Sequence, residues 1–146
     1  MTKFNDVTRS ERSLKALTPY SNRAEEIKAA REKGLIVITA RPCQLFIDCD
    51  SEEEFGYFLE QLKDFAPMIG IRSATYTRSP GGNYHAYITV ERDMTPEEQV
   101  LLQACLGSDR RREIRTWKRL REKDPIGQLL FELPDVKHTP IDLEVL

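Results

Sequence analysis

Two carboxylates set two residues apart, Asp48 and Asp50, follow directly on the apolar run Leu45-Phe-Ile. Along a strand, residues i and i+2 point to one face, so the pair would stand side by side at the strand's C-terminal end and could hold a divalent cation. Mg²⁺ and Mn²⁺ take hard oxygen donors, commonly one or two protein carboxylates completed by substrate phosphates. A cation so placed neutralises charge that builds on oxygens during nucleotidyl or phosphoryl transfer. The bland alternative is a helix entry: Ser51 is an N-cap type, and Glu52, Glu53 and Glu54 would fill a first turn where the helix dipole favours acids. The glutamates therefore belong to the helix start, and Asp48 and Asp50 alone form the candidate metal site.

A second stretch, Ser79-Pro-Gly-Gly-Asn-Tyr-His-Ala-Tyr-Ile88, supplies different chemistry. Gly81 and Gly82 let backbone approach a ligand closely, and their amides suit phosphate oxygens. His85, with Tyr87 on its face, is placed to touch a nucleotide phosphate or to carry a proton. The plain reading of the same residues is a hairpin turn followed by a strand. A third feature is basic: Arg110, Arg111, Arg112, Arg115, Lys118 and Arg119 lie in one predicted helix. If Ile114, Trp117 and Leu120 form its buried stripe, the cations are left exposed to track a phosphate backbone, or to pair with nearby glutamates.

Periodicity and caps supply the elements that must position these residues. A helix is expected over 23–33, stopped by Gly34, and a β-branched strand over 35–39 that turns through 40–43 into the strand at 45–50 as a hairpin. Phe55, Phe58, Leu59 and Leu62 give the following helix one apolar face, and Pro67 ends it. Strands at 71–77 and 84–90 form a hairpin around Pro80-Gly-Gly-Asn83. Thr95-Pro-Glu-Glu opens a helix to Leu106 with a capping box, Gly107 stops it, and Ser108 or Asp109 caps the basic helix. A short strand, Leu129 to Leu133, follows. The order implies an α+β fold, with an antiparallel-rich sheet carrying helices on one face and leaving the other open. The expected organisation is a flexible or partner-dependent arm at residues 1–21, one domain over 22–134 and a tail over 135–146.

The chain has 146 residues, 22 basic and 24 acidic, and a net charge of −2, so any nucleic-acid contact must be local. Three cysteines, Cys43, Cys49 and Cys105, without CxxC spacing favour free thiols in a reducing, cytoplasmic setting. No apolar run approaches the roughly 20 residues of a membrane helix.

Taken together, a hydrophobic strand ending in Asp48-Cys-Asp50 and a Ser79-Pro-Gly-Gly-Asn-Tyr-His85 segment entering an apolar strand resemble motifs I and II of the archaeo-eukaryotic primase superfamily. These primase-polymerases are common in phages and plasmids. The resemblance spans roughly residues 35 to 133, and its specific content is the two short motifs. It implies an RRM-like core, metal binding by Asp48 and Asp50, nucleotide contact by His85, a nucleotide loop shaped by Ser79, Gly81 and Gly82, and nucleotidyl transfer in DNA replication with other replication proteins as partners. It also implies a third acid at a strand end, for which Glu132 is the first candidate and Asp109 the second. The length leaves no room for a template-holding lobe, which points to an isolated catalytic core or to one that has lost catalysis. Two other classes fit the same residues: a non-catalytic RRM-like module for single-stranded nucleic acid, and a small phage protein that binds a host protein.

Overall fold

A computed structural model describes residues 23–123 and 128–144; the expected arm at 1–21 lies outside the described residues. Within them the fold is α+β, with four α-helices and two antiparallel sheets. In chain order the elements are α1 (Arg23–Glu32), β1 (Ile36–Thr39), β2 (Gln44–Cys49), α2 (Glu52–Ile69), β3 (Ile71–Arg78), β4 (Tyr84–Val90), α3 (Pro96–Cys105), α4 (Arg110–Arg121), β5 (Leu129–Glu132) and β6 (Thr139–Pro140). The larger sheet has the order β2-β4-β3-β6, and the smaller is β1 with β5. Since β4 runs antiparallel to both β2 and β3, those two are parallel to each other and α2 is the crossover between them. No helix among the described residues is long and apolar enough to cross a membrane.

Alternation along β2 sorts its side chains onto two faces. Leu45, Ile47 and Cys49 face α2, where they join Phe55, Phe58, Leu62, Ala86 and Ile88 in the main core. Phe46 and Asp48 face the other way. Phe46 meets Tyr87 edge-on, ring centroids 5.0 Å apart, and both pack against Leu130. The face expected to be open is thus partly roofed by the small sheet.

Two local expectations are corrected. The strands at 36–39 and 44–49 do not form a hairpin: β1 pairs with β5, Ile36 opposite Glu132, and β2 pairs with β4. Each apolar strand needs a buried partner face, and long-range burial outweighed proximity in the chain. Nor does Pro67 end the second helix, which continues to Ile69 and closes on Gly70 in the left-handed region. Phe65 and Ile69 extend its apolar face onto the core, and a proline so near the end removes only one helical bond. The caps fall as expected: Ser51 accepts from the Glu54 amide, Thr95 and Glu98 form a reciprocal capping box, and Asp109 accepts from the Arg112 amide. Within the segment expected as a tail, Thr139 and Pro140 add a short edge to β3.

Among the described residues no strand lies beside the outer edge of β2. Side chains from α3, α4 and their linker satisfy it instead. Gln99 donates to the Gln44 carbonyl (2.9 Å), Phe46 N–H donates to Gln103 Oε1 (2.8 Å), and Asp48 N–H donates to Ser108 Oγ (3.0 Å). Arg112 donates to the Phe46 carbonyl (3.3 Å), and Asp109 N–H donates to the Asp48 carbonyl (2.6 Å). Gly107, at φ +92°, makes the turn that brings Ser108 and Asp109 to this edge, and a Cβ there would lie 2.8 Å from the Tyr57 ring.

Gln103 is completely buried and also donates to Glu113 and Gln128. Its replacement by leucine keeps the bulk but strands the Phe46 N–H and two further buried groups. Gln103→Leu is expected to lower unfolding stability by about 2–4 kcal/mol in urea titration; a loss under about 0.5 kcal/mol would show that the edge does not depend on it.

Candidate functional site

The register of β2 and β4 sets Asp48 directly opposite His85. Both lie on the face turned away from α2, and β5 brings Glu132 onto the same spot. His85 Nδ1 lies 2.8 Å from Glu132 Oε1, and His85 Nε2 lies 3.4 Å from Asp48 Oδ1. A carboxylate, an imidazole and a carboxylate thus stand in line, drawn from three strands. The other oxygen of Glu132 accepts from Thr77 Oγ1 (2.5 Å) and from the Tyr87 hydroxyl (2.8 Å). Glu132 therefore enters the site through His85, with both oxygens already hydrogen-bonded.

These contacts set the charges. Burial disfavours a charged His85, but hydrogen bonds and attraction from Asp48 and Glu132 more than offset it and raise its pKa from 6.5 to about 9. The ring is an imidazolium at neutral pH, donating from both nitrogens. Burial alone would raise the Glu132 carboxyl; the bonds from His85, Thr77 and Tyr87 pull it below its ordinary value instead. Burial and then the negative charge of Glu132 push the Tyr87 phenol up, so it stays a donor. Cys49, buried on the far face, is raised to about 12 by desolvation and then by Asp48 and neighbouring acids, which leaves it an unreactive thiol.

Asp50 sits just past the end of β2, exposed, with its amide donating to Glu54 (2.6 Å). Its carboxyl is raised by partial burial and then by Asp109, Asp48 and Glu54. Both candidates for a third acid are accordingly near the pair, Asp109 on the Asp50 side and Glu132 behind His85. Among the described residues no three acidic, histidine or cysteine side chains form a ready ligand group for a metal.

The loop of Ser79, Gly81 and Gly82 lies at the same end of the sheet, since Cys49 is opposite Tyr84. Its amides are largely used internally. Gly82 N–H donates to the Ser79 carbonyl (3.0 Å), and Asn83 N–H donates to Ser79 Oγ (3.0 Å). Gly81 is exposed.

The basic helix is turned the other way from its expected orientation. Arg112, Glu113 and Thr116 are its buried residues, whereas Ile114 and Trp117 are 44% and 46% exposed. Hydrophobicity alone would have buried the tryptophan. The polar edge of β2 wins because its stranded carbonyls require the guanidinium of Arg112, which pairs with Glu113 at 2.7 Å and donates to the Phe46 and Leu129 carbonyls. Arg119 pairs with Glu26 of α1 at 2.6 Å. Arg110, Arg111 and Lys118 remain on the surface, and Arg115 is half-buried. Neither the burial of Arg112 nor the α1 partner of Arg119 had a signal in local periodicity.

With His85 titrating near 9 folded against an ordinary 6.5, its contribution to stability is full below about pH 6.5 and lost as pH rises through about 9. Glu132, lowered, contributes in the opposite sense, losing its share as pH falls below its ordinary value of 4.5. The chain has two histidines, His85 and His138, so an NMR titration in a His138→Gln background reads His85 directly. Its midpoint should lie well above 7 and drop in Glu132→Gln; a midpoint at 6.5 would dissolve the ion-paired line.

No protein-family model, curated protein or solved structure matches the chain.

Proposed function

We propose that this chain is a small primase-polymerase-like domain that binds a nucleotide or a nucleic-acid end through its phosphates together with Mg²⁺ or Mn²⁺, and that it serves nucleotidyl transfer. The observation that carries this reading is the convergence of Asp48, His85 and Glu132 from three strands beside the inward arginines of α4. Phosphate chemistry needs an oxygen-donor pair for a cation and fixed positive groups for the anion, and here the two adjoin.

In this reading Asp48 and Asp50 hold the cation, and Asp109 and Glu54, whose charges act on Asp50, are further oxygen donors close by. When bound, the cation would offset charge on the phosphate oxygens. His85, kept protonated by Glu132 behind it, presents an N–H on the Asp48 side, where a phosphate oxygen can accept it. Thr77 and Tyr87 fix the Glu132 carboxylate and so fix the orientation of the ring. Repulsion among Asp48, Asp50, Glu54 and Asp109 favours occupation by a cation, since it is relieved when one binds.

A second reading has its own support. Tyr57, Ile114 and Trp117 line a cleft of about 820 Å³ on the side of α4 away from His85, and exposed aromatics beside surface arginines suit stacking of single-stranded bases without catalysis. Binding of labelled nucleotide with and without Mn²⁺, by wild type, Asp48→Ala and Asp50→Ala, separates the two. Loss of the Mn²⁺-dependent component in both variants is expected; an unchanged affinity in Asp48→Ala would overturn the metal assignment. Survival of single-strand binding there, with loss in Arg111→Glu and a steep salt dependence, would favour the module.

A further inference from the structure

The inward face of α4 is built from guanidinium groups at positions where a buried helix normally places aliphatic side chains. Arg112, Arg115 and Arg119 follow one another at helical spacing, with Thr116 between them, and together with Arg23 and Glu26 of α1 they line a cavity of about 140 Å³. Asp48 and His85 form part of its wall, and Leu129, Leu130 and Phe131 of β5 line another side. Burying guanidinium is costly unless each is matched. Arg112 has Glu113, and Arg119 has Glu26. Arg115 has neither ion pair nor hydrogen bond among the described residues; desolvation and the adjacent Arg119 and Arg112 hold it below the usual arginine range, with Glu26 and Asp109 only partly opposing them.

We propose that this cavity is a site for a terminal phosphate group, with Arg115 as its principal contact and Arg119 and His85 flanking it. An entering phosphate would give Arg115 the anionic partner that the fold withholds, and the planar fork of arginine matches two phosphate oxygens at once. Size selects the class. At about 140 Å³ the space is well below the roughly 300 Å³ at which pockets enclose whole small molecules. It admits one phosphate and leaves the attached nucleoside or strand outside. An internal phosphodiester would need chain to leave this small space on both sides, whereas a terminal phosphate needs only one way in. The ligand is therefore a phosphate at an end, either of a nucleotide or of a strand. This rests on the phosphate reading of the site but not on its metal.

Isothermal titration in EDTA tests it, using pyrophosphate, a nucleoside triphosphate, and an oligothymidine carrying either a 5′-phosphate or a 5′-hydroxyl. Wild type should bind at least one phosphate-bearing probe and prefer the phosphorylated oligothymidine to its hydroxyl twin if the source is a strand end. Binding of pyrophosphate and triphosphate with no such preference would identify a nucleotide. Arg115→Gln should weaken that binding roughly 10- to 100-fold, and Arg115→Lys should restore part of it. Without ligand, the melting temperature of Arg115→Gln should be equal or higher, because a poorly matched cation has been removed; a purely structural arginine would lower it. The proposal is overturned if no probe binds in EDTA or if Arg115→Gln binds as wild type does. Absence of binding in EDTA alongside Mn²⁺-dependent nucleotide binding would remove this cavity while leaving the metal site intact.

Discussion

The outer edge of β2 is the constraint on which the rest of the structure depends. A buried strand edge exposes amides and carbonyls that must be hydrogen-bonded or cost free energy on each. In this chain the partner is a row of side chains, Gln99, Gln103, Ser108 and Arg112, with the Asp109 amide at its end. That solution dictates that α3 and α4 lie along the edge, that the linker between them turn tightly at Gly107, and that Gln103 and Arg112 be drawn inside. It also holds the end of β2 at Asp48, whose N–H and carbonyl are both bonded to the linker between α3 and α4.

The orientation of α4 follows from the same constraint. Once Arg112 is committed to the Phe46 carbonyl and Glu113, the helix has one rotational setting, and its other residues take what that setting leaves. Arg115 and Arg119 turn inward with Arg112, and Ile114 and Trp117 turn to solvent. A helix that hides arginines and displays a tryptophan departs from what burial free energy would choose, and such departures cluster where function is built. The cationic cavity and the aromatic cleft are opposite sides of this one helix.

Around His85, polar groups form a closed hierarchy. Thr77 and Tyr87 hold one oxygen of Glu132, the other holds Nδ1 of the ring, and Nε2 faces Asp48. Only the last contact, at 3.4 Å, is long enough to be exchanged readily for a ligand. The network thus fixes the ring from the Glu132 side and leaves its longest contact on the Asp48 side.

Much of this molecule was legible in the amino-acid order, because local physics decides it. The helix starts at Ser51, Thr95 and Asp109 are written in capping chemistry, the β3–β4 hairpin in its Pro-Gly-Gly-Asn turn, and the α+β class in the alternation of apolar periods. Asp48, His85 and Glu132 were each visible as chemically capable residues, and the side-by-side setting of Asp48 and His85 follows from strand pairing. What sequence could not carry was the company each residue keeps. The pairing of β1 with β5, the double hydrogen bonding of Glu132, the ion pair of Arg119 with Glu26 and the inverted face of α4 all join residues far apart along the chain. Periodicity assigns a helix its apolar stripe as the buried one. Only the folded edge of β2, with unsatisfied carbonyls awaiting a donor, could reverse that assignment and turn the arginines inward.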